Sequence, residues 1–293
     1  MKKIVIFMQN RNFFGAQIVH IPLLQELKNR YPNASITIFS KTPLSQILLD
    51  LKIVDNLVLE HNKVQTFRKY LKEKPDLTLN LRKKSLFISF YISFFNFQTK
   101  IGFDNFLSKI FFTISKPHNQ NIYRAQNYLT LLNSQLQYSN YEDHKKICFM
   151  PGAGGDFKMW PIHNYIKLAE FCAKKYPQYT IEFILGKKEK SFIEKIPQHF
   201  NVVYNLPIKE LFENICKASL VIANDCGPSH IAQINNIKTL ILVSDEYNDA
   251  DAVIKEWVNT TSHIDFIKGK NQQSIQTLSL ESVQYKVQKL LEK

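Results

Sequence analysis

Ala218-Ser-Leu-Val-Ile-Ala-Asn-Asp-Cys-Gly-Pro-Ser-His230 is the stretch whose reading decides the fold. Ser219 to Ala223 form a continuous run of small or apolar residues, the pattern of a short buried strand. Asn224 and Asp225 follow as polar turn residues, Gly227 supplies a tight turn, and Pro228 stands where the first residue of a helix belongs. In an open α/β sheet, ligands collect outside the carboxyl ends of the strands. The N–H groups at a helix start favour an anion such as a phosphate, and Asp225 and His230 flank that point as candidate contacts to a sugar or nucleotide. The same residues also fit an ordinary strand-to-helix turn.

Working outward, the C-terminal half alternates. Strands are expected at Ile147 to Met150, Ile181 to Leu185, Val202 to Tyr204 and Thr239 to Val243, the last completing the sheet. Helices are expected over Ile162 to Lys174, from Pro207, and from Ser279 onward. The N-terminal half repeats the plan, with strands at Lys3 to Met8, Ser35 to Phe39, Asn56 to Leu59, Asp76 to Leu81 and near Lys100 to Phe103. Between them come helices from Gly15 to about Arg30, over Leu44 to Leu51 and over Val64 to Lys72, with another over Tyr123 to Leu136. An interior proline costs a helix about 3 kcal/mol, so Pro22 predicts a kink or a regular helix beginning close to it. Strands separated by helices in this way predict parallel sheets covered on both faces. The polar, charged segment Gln137 to Lys146 is a candidate linker. The expectation is an α/β chain of two Rossmann-like domains, 1–140 and 145–293, facing each other across a cleft.

Composition narrows the function classes. With 45% hydrophobic and 22% charged residues the chain is globular rather than disordered. Met1 to Met8 is too short an apolar run for a signal peptide and lacks a small-residue cleavage site. The longest apolar region, Leu86 to Phe97, falls short of the about 20 residues that span a bilayer. The four cysteines, Cys148, Cys172, Cys216 and Cys226, show no C-x-x-C pairing, which favours reduced thiols over zinc. A net charge of +13 favours a polyanionic partner, whether nucleic acid, an anionic membrane or a phosphorylated small molecule, although many lysines simply solvate helices. Helix-turn-helix, RRM and zinc signatures are lacking, so no nucleic-acid partner is expected.

Pro151-Gly-Ala-Gly-Gly-Asp-Phe-Lys-Met-Trp-Pro161 is the second informative loop. Gly152, Gly154 and Gly155 let backbone approach a ligand and permit positive φ, and Lys158 is a compact cation suited to phosphate. The loop is neither a G-x-G-x-x-G nor a Walker A motif, so neither dinucleotide nor P-loop chemistry is indicated. A flexible loop with an exposed lysine fits it as well.

Together the two loops are far more specific. Pro-Gly-Ala-Gly, Lys-x-Trp-Pro and Asn-Asp-x-Gly-Pro-x-His resemble the ADP-heptose:lipopolysaccharide heptosyltransferases, glycosyltransferase family nine. The resemblance extends to the opening Ile-Val-Ile strand, to Phe-Gly before Pro22 to Leu24, to Ile101-Gly102-Phe103 and to Asn205-Leu206 ahead of Pro207. It implies a GT-B fold with the acceptor held mainly by the first domain and the nucleotide-sugar by the second. It also implies inverting, metal-independent transfer from an ADP-sugar, with no cofactor, to a lipopolysaccharide core or lipid A-Kdo type acceptor.

By position, the resemblance assigns Lys158 to the diphosphate leaving group. It assigns Asp225, Cys226 and Gly227 to the diphosphate and sugar, with His230 one turn further on. Ala153 and Gly154 stand where the family often has hydroxyl residues, leaving backbone contacts at most. Glu189 matches an acidic residue near the ribose, and a solvated helix charge explains it equally. The family's first loop reads Gly-Asp, that aspartate being the presumed base; here Gly15 is followed by Ala16, which takes no proton. His20 and Asp104 are the substitutes weighed, each with a structural role as its alternative. The missing carboxylate motivates a second reading, a catalytically silent homologue that binds nucleotide-sugar or glycolipid without transfer.

Asp249-Ala-Asp251 spells the D-x-D of metal-dependent glycosyltransferases but is expected in an exposed loop, and no metal is assigned. Arg82, Lys83 and Lys84, followed by the aromatic run to Phe97 and then Phe103, Phe106, Phe111 and Phe112, suit an acceptor- or membrane-facing surface. Basic heads would meet lipid phosphates and apolar groups acyl chains; a core helix explains the aromatics as well. The expected setting is cytoplasmic, peripheral on the inner face of the inner membrane, with an anionic glycolipid acceptor.

Overall fold

Continuous apolar runs become the inner strands of two parallel sheets, one in each of two units, Met1–Leu136 and Gln137–Lys293. The computed structural model describes residues 1–83, 85–94, 98–138, 141–246, 249–269 and 274–292.

The first unit begins with β1 (Lys3–Phe7), followed by α1 (Phe14–Ile18) and α2 (Ile21–Arg30). The chain breaks its helix between Ile18 and Ile21, which puts Pro22 in the first turn of α2, where its missing N–H costs nothing. Next come β2 (Ser35–Ser40), α3 (Gln46–Asp50), β3 (Asn56–Leu59), α4 (Lys63–Glu73) and β4 (Leu77–Asn80). The unit continues with α5 (Leu86–Ser93), β5 (Thr99–Phe103), α6 (Phe106–Phe111), β6 (Ile114–Lys116) and α7 (Arg124–Thr130). The strand order is β3-β2-β1-β4-β5-β6, every pair parallel.

The second unit runs β7 (Lys146–Met150), α8 (Ile162–Lys175), β8 (Thr180–Leu185), β9 (Asn201–Tyr204), α9 (Ile208–Cys216) and β10 (Leu220–Asn224). It ends with α10 (Ser229–Ile234), β11 (Lys238–Val243), α11 (Ala250–Trp257), β12 (Ile264–Lys268) and α12 (Leu280–Leu291). Its order, β12-β11-β10-β7-β8-β9, is the first unit's order read from the other end, so both units share the doubly wound Rossmann topology. In each, the strand order reverses where the first and fourth strands of the unit lie side by side. The core of the second unit gathers Phe149, Trp160, Tyr165, Phe183, Ile222 and Leu240 beneath Val283, Val287 and Leu290 of α12.

The sheet does not end at Thr239 to Val243: β12 adds a sixth strand, as β6 does in the first unit. Both strands absent from the sequence reading are edge strands, short or half-exposed, without a long apolar run to mark them. Among the described residues, no helix is long and apolar enough to cross a membrane.

Candidate functional site

The two glycine-bearing loops leave neighbouring strands. β7 and β10 pair in parallel with Met150 opposite Ala223, so Pro151 and Asn224 emerge together at the point where the strand order reverses. Ligands of open α/β sheets bind at that point. Asn224 is fully buried, and its side chain joins the loops: Nδ2 donates to the Pro151 carbonyl at 2.7 Å, while Oδ1 accepts from Trp160 N–H at 3.1 Å and from the Tyr165 hydroxyl at 2.9 Å. The indole N–H of Trp160 donates onward to the Leu278 carbonyl.

Between those anchored ends, Lys158 reaches across so that its Nζ lies 2.7 Å from Asp225 Oδ2, with both side chains largely buried. His230 is buried beside the pair; burial pushes its pKa down to about 4, so the ring is neutral at physiological pH. Its Nδ1 meets Gln233 and its ring packs edge-on against Trp257. Cys226 is also buried, which raises its thiol to about 12 and leaves it an uncharged wall. All four cysteines are free.

Glu189 is no solvated charge. It is 8% exposed, its Oε2 accepts from Gly186 N–H at 2.9 Å, and its carboxyl group packs on Gly152. A Cβ on Gly152 would stand 2.6 Å from Glu189 Cδ, so this glycine exists for close approach. Positive φ is not the reason, because no described glycine has one. A Cβ on Gly154 would meet nothing within 4 Å, and Ala153 beside it is half-buried. Gly227 lies in the turn before α10, whose Pro228 caps rather than begins the helix. That helix has only six residues, so its dipole is a weaker anion anchor than the sequence suggested, and Lys158 supplies the principal positive charge. Lys158, Asp225, Glu189 and His230 are thus gathered around one strand junction, with Lys187, Lys188 and Lys190 exposed around Glu189.

In the first unit, Arg82 is a brace and not an open cation. Its guanidinium is buried, donating to the Met8 and Phe39 carbonyls and forming a bidentate ion pair with Glu60. It therefore ties together the chain leaving β1, β2, β3 and β4. Lys83 is half-buried, and Lys84 lies outside the described residues. Gly15 and Ala16 are buried in α1. His20 sits past the end of α1, 1% exposed and stacked on Tyr128 at 4.6 Å; burial holds its pKa at about 3. Both ring nitrogens are buried away from solvent, the surroundings of a core residue rather than of a base. Asp104, just past β5, keeps its carboxylate partly exposed while accepting from the Ser115 hydroxyl.

The Asp249-Ala-Asp251 sequence is not a loop but the start of α11. Asp249 caps the helix through Ala252 N–H, and Asp251 pairs with Lys268. Among the described residues, no group of three or more His, Cys, Asp or Glu is placed to hold a metal ion. The aromatic run divides its residues. Ile88, Tyr91 and Ile92 face the core, whereas Leu86, Phe90 and Phe94 are exposed one helical turn apart. Phe106, Ile110 and Phe111 of the neighbouring α6 are exposed as well, with Lys109 beside them. Residues 95–97 of the run are outside the described set.

In the sequence Asn224 reads as a polar turn residue and as the first residue of the Asn-Asp-x-Gly-Pro-x-His motif, with no structural role assigned to its side chain. Its signal was a polar residue closing an otherwise apolar strand, and its partners on a distant segment were invisible there.

A profile of glycosyltransferase family 9 (heptosyltransferase) matches residues 91–242, over half of the chain. Lipooligosaccharide heptosyltransferase 2 of Campylobacter jejuni subsp. jejuni serotype O:6 is 24% identical over 266 residues, which cover 81% of this chain and 80% of that protein. The glycosyl transferase family 9 structure from Veillonella parvula superposes with a TM-score of 0.73 at 17% identity, covering 100% of this chain and 98% of the other. The E. coli heptosyltransferase WaaC with ADP gives a TM-score of 0.69 at 13% identity, covering 98% and 99%. Those structural likenesses bear on the fold, and the profile bears on the sequence itself. The chain therefore belongs to glycosyltransferase family 9 (heptosyltransferase) and is a glycosyltransferase.

Proposed function

We propose that this glycosyltransferase moves a heptose or similar sugar from an ADP-sugar to an anionic glycolipid acceptor of the lipopolysaccharide core or lipid A-Kdo type, with inversion and without a metal. One observation carries the reading: Lys158 and Asp225 meet at the junction of β7 and β10, beside Glu189 and His230. An ammonium there suits a diphosphate, and the buried Glu189 carboxylate suits ribose hydroxyls. The acceptor oxygen attacks the anomeric carbon. The bond from that carbon to the β-phosphate oxygen breaks with its electron pair, and Lys158 stabilises the charge developing on the phosphate. The acceptor's proton passes to a general base, for which Asp104, with its side chain partly exposed, is the candidate on the acceptor-side unit. The exposed phenylalanines of α5 and α6, with lysines nearby, support peripheral contact with the cytoplasmic face of an anionic inner membrane.

The test is calorimetric titration with ADP and an ADP-sugar, followed by ADP release in the presence of a glycolipid acceptor. Binding of neither nucleotide overturns the reading. The buried methyl of Ala16 supports the second reading, a silent binding homologue. Donor binding without ADP release, together with turnover gained by Ala16→Asp, selects it.

A further inference from the structure

We propose that Asn224 is the positioning residue that sets Lys158 for the diphosphate, an inference resting on the donor-site reading of Lys158. The loop from Pro151 to Trp160 carries Lys158 and is anchored at both ends by this one side chain, through the Pro151 carbonyl and the Trp160 N–H. The Tyr165 hydroxyl fills the remaining acceptor position on Oδ1. Asn224 is wholly buried and is the last residue of β10, so its direction is fixed by the sheet. The next residue, Asp225, pairs with the ammonium two residues before the Trp160 anchor of the same loop. Residue 224 thus holds the loop's backbone at both ends while residue 225 pairs with the charge it carries.

The chemistry selects asparagine. Two donors and one carbonyl converge, so the side chain must offer an acceptor oxygen and a donor nitrogen at once. Aspartate would set a buried anion against the Pro151 carbonyl and beside Asp225. An aliphatic residue would leave the Trp160 N–H and the Pro151 carbonyl unpaired in the interior. Asn224 touches no ligand itself; it acts through the loop.

A double-mutant cycle on the full chain, read as ADP affinity by calorimetry, tests this. Lys158→Ala alone is expected to weaken ADP about 10- to 100-fold, the worth of one charge-assisted bond. Asn224→Ser alone is expected to weaken ADP by about tenfold or more, because the loop backbone that carries Lys158 loses both of its anchors. In the Asn224→Ser background, Lys158→Ala should cost less than about threefold, since coupled residues are non-additive. A purely structural role for Asn224 would leave the two losses multiplicative, and that result, or unchanged affinity in Asn224→Ser, overturns the proposal. If the unaltered chain fails to bind ADP, the donor-site reading fails instead. Hydrogen exchange on the unaltered protein covers the case in which Asn224→Ser does not fold. The Trp160 amide should exchange slowly without ligand and no more slowly with ADP, whereas free exchange at Trp160 overturns the proposal.

Discussion

Lys158 Nζ stands 2.7 Å from Asp225 Oδ2, so the cation assigned to the leaving group is already paired before any ligand arrives. With His230 neutral, Lys158 is the only largely buried cation at the junction among the described residues and faces two carboxylates, Asp225 and Glu189, the other nearby lysines being exposed. A diphosphate must therefore share or displace Asp225. Asp225→Asn keeps the shape and releases the ammonium. It should leave ADP binding equal or tighter, while turnover with an ADP-sugar falls because the sugar hydroxyls lose a charged acceptor. Calorimetry set beside ADP release checks both halves. Weaker ADP binding in Asp225→Asn would mean that the carboxylate is needed to hold Lys158 in place.

Gly152 and Gly154 make a matched pair two residues apart. A methyl on Gly152 would press on the Glu189 carboxyl group, itself fixed by Gly186 N–H. Gly152→Ala should cost about 1–3 kcal/mol of stability through overpacking and should weaken ADP binding by displacing Glu189. Gly154→Ala meets nothing within 4 Å and should stay within about 0.5 kcal/mol of the unaltered protein, with ADP affinity unchanged. Thermal melts with and without ADP distinguish the two variants. Equal behaviour would contradict the packing described.

Arg82 and Glu60 are 5% and 4% exposed in their side chains, a buried pair reaching between two strand ends. Removing one partner leaves an uncompensated charge in the interior. Arg82→Met should therefore lower stability by about 3–5 kcal/mol. The double variant Arg82→Met, Glu60→Met should recover most of that loss, because apolar residues of similar volume often replace a buried pair without penalty. Urea unfolding of the three proteins measures it. Were Arg82 an acceptor contact instead, the single variant would raise the acceptor KM with little change in the urea midpoint.

What could be read from the residues follows from the range of the interactions involved. Ser219 to Ala223 announces a buried central strand because both its faces are covered, and an inner parallel strand must be apolar throughout. β6 and β12 lie at sheet edges with one side open, and their composition carries no such demand. The meeting of Lys158 with Asp225 was legible only through the family resemblance, which assigned both loops to one diphosphate; alternation alone does not say that β7 and β10 are neighbours. The Arg82 pairing was not legible: the strands ending before Glu60 and Arg82 were, but that their ends meet across β1 and β2, which lie between them in the sheet, was not. His20 follows Ala16 by four residues, a spacing that does not show that the helix breaks between Ile18 and Ile21 or that the ring packs in the core against Tyr128.

The exposed aromatics of α5 and α6 give the membrane proposal a direct check. Vesicles containing anionic lipid should retain the protein at low salt and release it as salt rises, with weaker retention on zwitterionic vesicles. Phe90→Ser combined with Phe106→Ser removes two rings that are 50% and 74% exposed. Each buried phenylalanine is worth about 1.5–3 kcal/mol, so the pair should lower vesicle binding by more than about tenfold. Folding stability should hardly change. Unchanged vesicle binding would assign the attraction to lysines alone.

His20 and His230 contribute to the pH dependence of stability on mild acidification. Their folded pKa values, about 3 and about 4, lie below the ordinary 6.5, chiefly because burial disfavours the charged ring. Between about pH 6.5 and pH 4 the unfolded chain binds protons at these positions and the folded chain does not, so stability rises with pH. The contribution is fully present above about pH 6.5. It is lost on acidification toward the folded values, at about 1.4 kcal/mol per pH unit for each ring. His20→Phe keeps an aromatic ring against Tyr128 and removes one titration. The difference in urea midpoint between pH 7 and pH 5 should therefore shrink. Turnover should persist in the same variant, because a ring with no route to solvent takes no proton from an acceptor. An unaltered pH slope would mean that His20 opens to water in the folded state, and lost turnover would return it to the list of bases.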